Sequence, residues 1–115
     1  MRYAAILLAA LALFLSACTS RPADGPVVVI GKEMQFEQAT LTARVGETVS
    51  LVFENHGALV HALVLDEFGV ALEHIQPGAS GAATFTPDKP GTYTFYCNEP
   101  GHREADMIGT LIVTE

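Results

Sequence analysis

The chain has 115 residues, with 13 acidic and 6 basic side chains and a formal net charge of −7. This length allows one domain at most, and the excess of acids argues against nucleic acid as a partner, because binding it requires a positive surface. An acidic surface keeps a protein soluble and can also steer a basic partner protein toward it.

The N-terminus has the three parts of a secretory signal. Residues 1–3 include a positive charge, residues 4–15 are apolar without interruption, and small residues follow. The apolar run is shorter than the about 20 residues that cross a bilayer as a helix, which favours a signal over a retained transmembrane anchor. We therefore expect residues 1–17 to be a signal peptide and the protein to be exported.

The end of this run, Leu15 to Cys18, resembles the lipobox of bacterial lipoproteins, in which the cysteine becomes the mature N-terminus and carries lipid. Ordinary cleavage near Ala17, with Cys18 as an incidental thiol, is the alternative. Residues 18–26 are polar and interrupted by proline, as in a flexible tether. We expect a lipid on Cys18 to anchor the protein to a membrane, facing the periplasm or the extracellular side.

Beyond residue 26, short β-prone runs alternate with turn signals, and no long helix is indicated. Segment 70–75 is ambiguous between a short helix and an irregular strand, and the stretch 34–36 precedes a loop. Seven or eight short strands in about 90 residues are typical of one β-sandwich or barrel. The predicted strands cover 27–30, 40–45, 48–54, 61–65, 82–86, 92–97 and 109–114, with 70–75 as an eighth. We expect residues 27–115 to form a single all-β domain.

One loop near the C-terminus contains three side chains that bind soft metals. Cys97, His102 and Met107 follow one another at the spacing Cys-x4-His-x4-Met, between two predicted strands. A thiolate and an imidazole suit copper, and a thioether can be a weak axial ligand; the blue-copper arrangement combines these with a second histidine. The loop alone therefore indicates a soft-metal site that lacks one imidazole.

His61 is the first candidate for the missing histidine, because it begins an alternating apolar strand, where a polar ring is costly without a partner. The alternative role for His61 is that of a core histidine hydrogen-bonded to backbone. His56, in the turn 55–57, is the rival ligand, although its neighbours indicate a solvated loop. His74 follows Glu73 and is expected outside the site, in a connecting segment.

These motifs resemble those of the cupredoxins, the superfamily of plastocyanin and azurin, over residues 27–115. The match rests on an Asn-containing turn before His61, a Tyr strand end before Cys97, Pro-Gly before His102 and Met-x-Gly at Met107. The ligand spacing is similar to that of the rusticyanin and sulfocyanin type of loop. The resemblance implies a Greek-key β-sandwich of seven to eight strands, one copper per chain bound by these four residues, and a monomeric carrier of single electrons.

The resemblance also implies a docking surface for a redox protein, such as a c-type cytochrome or an oxidase. In the family the second histidine exposes a ring edge among apolar residues, which here would be His102 with Pro100 and residues 58–60. Two positions depart from the family. Ala62 stands where members often have Asn, which leaves only its backbone N–H for the Cys97 sulfur. Asp106 stands where glycine is frequent, and its charge would favour Cu(II).

Other functions use the same residues. A copper storage or delivery protein is the main alternative, although a buried set of four ligands binds too firmly for easy transfer. An enzyme such as a nitrite-reducing copper protein needs a second metal site, for which only His56 and His74 remain. A zinc-binding or metal-free structural domain is also compatible with these side chains. A dinuclear centre of the cytochrome oxidase type needs two bridging cysteines, and only Cys97 is available, so we expect a non-enzymatic carrier.

Overall fold

The computed structural model describes residues 25–115; the predicted signal peptide 1–17, the lipid site Cys18 and most of the tether 18–26 lie outside the described residues. Within 25–115 there are nine strands and one short 3-10 turn, and no helix there is long and apolar enough to cross a membrane. The strands are β1 Val27–Lys32, β2 Gln35–Phe36, β3 Thr40–Arg44, β4 Val49–Asn55, β5 His61–Leu65, β6 Val70–Ile75, β7 Ser80–Phe85, β8 Gly91–Tyr96 and β9 Ile108–Thr114, and the 3-10 turn is Asp66–Phe68.

The strands form two sheets of a β-sandwich. One sheet has the strand order β2-β1-β4-β7 and the other β3-β9-β8-β5-β6. Both sheets are mixed, because β1 runs parallel to β4 and β3 runs parallel to β9, whereas the other pairs are antiparallel. The predicted all-β sandwich is therefore confirmed. The strand number is nine rather than seven or eight, because the two-residue strand β2 pairs with the end of β1.

Strand β4 illustrates how the sequence pattern places the core. Val49, Leu51 and Phe53 alternate with more exposed residues and point into the sandwich, as the period of two predicts. Asn55 continues the same buried face at the end of the strand. A polar side chain therefore enters the core next to the turn that leads to β5, where it needs hydrogen-bond partners.

An aromatic cluster fills part of this core. The Phe36 ring lies 5.9 Å from that of Phe53 and 5.1 Å from that of Phe95, centroid to centroid, which are favourable contact distances. Two glycines make room for these rings. A Cβ atom at Gly109 would overlap the Phe95 ring, and one at Gly31 would lie 2.6 Å from Phe53 Cζ. Strands β1 and β9 can therefore approach the rings only because these two residues lack a side chain.

Three element ends position the candidate metal ligands. Strand β5 begins with His61, β8 ends one residue before Cys97, and β9 begins one residue after Met107. Strands β8 and β9 pair up to Tyr96 and Ile108, so the loop 97–107 leaves and re-enters the sheet at adjacent positions. Cys97 therefore lies just past the strand in which the sequence placed it.

Candidate metal centre

Backbone hydrogen bonds close the loop 97–107 on itself. The Cys97 N–H donates to the Met107 carbonyl at 3.1 Å, and the Met107 N–H donates to the His102 carbonyl at 3.0 Å. Within the loop, the His102 N–H donates to the Glu99 carbonyl at 3.0 Å. The three sequence-predicted ligands of this loop are thus joined by their own backbone, independently of any metal.

Three donor side chains converge above this loop. His61 Nδ1 lies 3.1 Å from His102 Nδ1, and Cys97 Sγ lies 3.4 Å from His102 Nδ1. One ligand atom from each of the three residues is within 4.8 Å of the other two. Metals bind imidazole nitrogen and thiolate sulfur at roughly 2.0–2.3 Å, so donors that share one ion lie about 3–4 Å apart. The described residues contain no other such group of His, Cys, Asp or Glu.

Met107 is fully buried in the same part of the core. Its methyl carbon lies 3.5 Å from the position that a Cβ atom of Gly31 would take. Its backbone contacts both Cys97 and His102 through the hydrogen bonds described above. The thioether is therefore held in a dry environment, on a residue whose backbone is bonded to two of the three converging donor residues.

The thiol of Cys97 is also fully buried. Burial raises its pKa, because the thiolate loses solvation, and hydrogen bonds from the backbone of Glu99 and Ala62 oppose this rise. The Ala62 N–H donates to Cys97 Sγ at 3.2 Å, as the sequence predicted. This contact joins strand β5, which contains His61, to the loop that contains the other donors.

His61 is buried without a full set of hydrogen-bond partners. Burial lowers its pKa, and the neighbouring His102 lowers it further, whereas the Glu33 backbone and the Glu99 and Glu33 carboxylates oppose the shift. Its Nε2 atom has no well-formed hydrogen bond among the residues that the structure describes. A neutral imidazole with Nδ1 facing a thiol and a second imidazole is the form that binds a metal. The donor set of two imidazoles, a thiol and a nearby thioether fits copper.

Sequence comparison agrees with this geometry. Residues 5–113 match the family described as "Cupredoxin-like domain". The chain belongs to the cupredoxin family. Copper is the metal that cupredoxins bind, and among the residues that the structure describes the cluster of His61, Cys97 and His102 could hold one ion.

Named relatives include copper-resistant cuproproteins and plastocyanins. The copper-resistant cuproprotein CopI of Rubrivivax gelatinosus is 34% identical over 105 residues, covering 75% of this chain and 64% of CopI. Chloroplastic plastocyanin of Oryza sativa subsp. indica is 34% identical over 119 residues, covering 91% of this chain and 73% of that protein. This cupredoxin thus spans less than two thirds of the length of CopI.

Among solved structures, the reduced auracyanin of Roseiflexus castenholzii superimposes with a TM-score of 0.70. The match covers 79% of this chain and 100% of auracyanin, at 24% sequence identity. At this level of identity the likeness concerns the fold, and it agrees with the β-sandwich described above.

The remaining histidines of the cupredoxin domain lie outside the donor cluster. The His56 ring is half exposed, and its Nε2 contacts the Glu54 carboxylate at 2.8 Å. His74 is 80% exposed at its side chain, and its Nδ1 lies 2.9 Å from Glu99 Oε1. The sequence placed His74 in a connecting segment; it belongs instead to β6, where the chain bulges.

Asn55, the residue of the Asn-containing turn before His61, makes hydrogen bonds that the sequence did not predict. Its Nδ2 donates to the carbonyls of Leu59 and Ile75 at 2.8 Å each, and its Oδ1 accepts the Gly57 N–H at 2.9 Å. Gly57 in turn packs on the His61 ring, since a Cβ atom there would lie 3.0 Å from His61 Nε2. The signal was present in the sequence, because Asn55 continues the buried register of β4.

Some apolar residues that are close to the donors along the chain reach the surface. His102 is 8% exposed, and Leu59, two residues before His61, is 49% exposed and is one of the few large apolar side chains on the surface of the described part of the chain. Ala58 and Pro100 are exposed as well. Of the residues that the sequence proposed for docking, Ala58, Leu59 and Pro100 are therefore accessible, whereas Val60 is half-buried and His102 is nearly buried.

Proposed function

We propose that this cupredoxin is a mononuclear blue-copper protein that carries single electrons between redox proteins outside the cytoplasm, and that it is not an enzyme. The convergence of His61 Nδ1, His102 Nδ1 and Cys97 Sγ in a buried cluster is the observation that carries this proposal. Bound copper would supply the one-electron chemistry, and the protein would supply the ligands and their fixed arrangement.

The ligand set in this proposal is His61, Cys97, His102 and Met107. The two imidazoles and the thiolate would be the strong donors to copper, and the buried thioether of Met107 would be the weak fourth donor. The spacing of the nitrogen and sulfur atoms is already that of donors to one ion, and backbone hydrogen bonds hold the loop closed. A preformed site of this kind changes little between two oxidation states, which favours fast electron exchange.

Burial of the donors would also keep a substrate away from the metal. His61, Cys97 and Met107 are fully buried, and only an edge of His102 reaches the surface. With four protein ligands and no solvent-facing donor, a substrate would have no coordination position to occupy. The exposed edge of His102 would then be the route for electrons, and the exposed apolar Leu59 would belong to the docking surface.

Copper resistance is the second candidate function, because the relative from Rubrivivax gelatinosus is named a copper-resistant cuproprotein. In that role the site would store or deliver copper rather than cycle between oxidation states. Fully buried donors favour firm retention of the metal, which supports the electron carrier over delivery.

The proposed location rests on residues 1–18, which have the pattern of a lipoprotein signal. We propose a lipid anchor on Cys18, with the domain facing the periplasm or the cell exterior. Mass spectrometry of the protein purified from its host tests this proposal. A diacylated N-terminal Cys18 is expected, and an unmodified mature N-terminus elsewhere would remove the anchor.

The visible spectrum of the soluble domain after addition of Cu(II) tests the proposed function. We expect an intense thiolate-to-copper band that a mild reductant bleaches and an oxidant restores, with rapid electron exchange with a c-type cytochrome. A protein without this band, from which a weak chelator readily removes copper, would be a delivery protein instead.

A further inference from the structure

Strand β6 bulges opposite the start of β5. His61 pairs with Ile75, but Leu63 pairs with Leu72, so β6 has one residue more than β5 between these pairs. The bulge includes His74, which has a φ of 53°, a backbone conformation that is unfavourable for a residue with a side chain. Bulges and strained residues of this kind re-aim side chains next to functional sites.

The bulge contacts the first residues of the ligand loop. Asn98 Nδ2 donates to the Glu73 carboxylate, and His74 Nδ1 lies 2.9 Å from Glu99 Oε1. Asn98 and Glu99 directly follow Cys97, and the Glu99 carbonyl accepts the His102 N–H at 3.0 Å. The Glu99 side chain is thus held between strand β6 and the backbone that joins two of the converging donors.

The Glu99 carboxylate is poorly solvated for a charged group. Its side chain is 14% exposed, and its Oε1 atom is buried. The contact of Oε1 with His74 is short but lacks hydrogen-bond geometry. Among the described residues, no well-formed hydrogen bond therefore replaces the water that this oxygen has lost. A carboxylate that is partly removed from water acts more strongly on nearby charges than an exposed one does.

Glu99 is also close to the donors along the chain. It is the second residue after Cys97, and its carbonyl accepts the His102 N–H, so its carboxylate belongs to the loop that contains two of the three donors. Oxidation of a bound metal would add one positive charge within this loop. A carboxylate with little solvent around it should then favour the oxidised ion by electrostatic attraction.

We propose that the Glu99 carboxylate, held beside the donor cluster by the bulge of β6, is a positioning and tuning group that stabilises Cu(II) relative to Cu(I). This inference rests on the proposed copper site. The sequence suggested such a role for Asp106, but Asp106 is exposed and faces solvent, which screens its charge. Glu99 replaces it as the acid that sets the balance between the two oxidation states.

The test compares two variants that each remove one negative charge. Glu99→Gln keeps the size of the side chain, and Asp106→Asn is the matched control, since Asn tolerates the positive φ of 69° at that position. Competition titrations at neutral pH give the Cu(II) and Cu(I) affinities of each. We expect the ratio of Cu(II) to Cu(I) affinity to fall roughly tenfold in Glu99→Gln and less than about twofold in Asp106→Asn. An unchanged ratio in Glu99→Gln, or an equal fall in both variants, would overturn the proposal.

Two further variants separate charge from packing. Glu99→Asp keeps the carboxylate and is expected to retain most of the wild-type affinity ratio, so a loss equal to that of Glu99→Gln would overturn the proposal. Glu99→Ser supplies a second neutral side chain if the glutamine variant does not fold. The affinity ratio needs no electron-transfer partner, and the wild-type spectrum is recorded in the same samples. A missing thiolate-to-copper band would overturn the proposed function and the inference that rests on it, whereas an unchanged affinity ratio in Glu99→Gln with the band present would overturn only the role of Glu99.

Discussion

The backbone N–H of Ala62 donates to Cys97 Sγ at 3.2 Å, and this bond joins the two parts of the candidate metal centre. One part is strand β5, which begins with His61, and the other is the loop that contains Cys97 and His102. Because the donor is a backbone group, the contact does not depend on the side chain at position 62. Alanine at this position therefore leaves the link between the two parts intact.

Removal of the thiol should abolish the blue-copper spectrum. In Cys97→Ser the intense visible band is expected to disappear, because it arises from the thiolate-to-copper charge transfer. His56→Ala is the matched control, since His56 lies on the surface and contacts only Glu54. The band should keep its wavelength and intensity in His56→Ala. A loss of the band in that variant would show that the ligand set is wrong.

Copper binding should release about one proton at neutral pH. Burial raises the pKa of Cys97, so the metal-free protein contains a thiol that must be deprotonated before it binds. The pKa of His61 is lowered, so this ring is already neutral and releases no proton. Affinity should therefore rise with pH until the thiol is ionised in the free protein.

Calorimetric titrations in buffers of different ionisation enthalpy measure this proton release. Cys97→Ser serves as the control and should release no proton from position 97. Equal binding enthalpies in all buffers for the wild-type protein would contradict the expected thiol state.

The sequence singled out Cys97, His102 and Met107 because they lie close together in the chain at a regular spacing, and the structure brings Cys97 and His102 together with His61. His61 could also be found from the sequence, because a histidine at the start of an apolar strand needs a partner for its polar ring. The proposed role of Glu99 could not be predicted from the sequence, since it depends on the bulge in the pairing of β5 with β6. No local pattern specifies which residue of a distant strand will face the loop.

Asn55 should hold the His61 loop in place. Asn55→Ala removes three hydrogen bonds and leaves the Leu59 and Ile75 carbonyls and the Gly57 N–H without their partner. We expect a loss of about 2–4 kcal/mol in the free energy of unfolding of the metal-free protein, measured by denaturant titration. We also expect faster loss of copper to a chelator, because Gly57 packs on the His61 ring.

Leu51→Ala is the control for this variant, since it lies on the same strand and the same buried face. It should destabilise the fold by about 2–5 kcal/mol without changing the rate of copper loss at full folding. If Asn55→Ala and Leu51→Ala lose copper at the same rate, Asn55 stabilises the fold without a specific effect on the copper site.

A side chain at position 109 should be poorly tolerated. The Cβ atom of Gly109→Ala would overlap the Phe95 ring, which also contacts Phe36 in the core. Overpacking of this kind costs about 1–3 kcal/mol or more, and thermal unfolding of the metal-free protein measures it. Gly46→Ala is the control without overpacking, since no atom lies within 4 Å of the position of its Cβ atom. Its φ of 81° means that this variant has backbone strain only. A smaller loss at position 109 than at position 46 would contradict the packing argument.

A negative charge at Leu59 should slow electron exchange with a partner protein. Leu59 is 49% exposed beside the loop that leads to His61, and a charge there would remain hydrated and oppose close apolar contact. Val45→Glu is the matched control, because Val45 is also an exposed apolar residue but follows the end of β3 that pairs with Thr114, far from the start of β9. Both variants add the same charge to the chain.

Stopped-flow reduction by a c-type cytochrome distinguishes the two variants. We expect the second-order rate constant of Leu59→Glu to fall by roughly tenfold, as for a disrupted docking contact, while its visible spectrum stays unchanged. Val45→Glu should change the rate only through the net charge, an effect that high salt removes. If the two variants show the same rate at high salt, docking takes place away from the surface around Leu59.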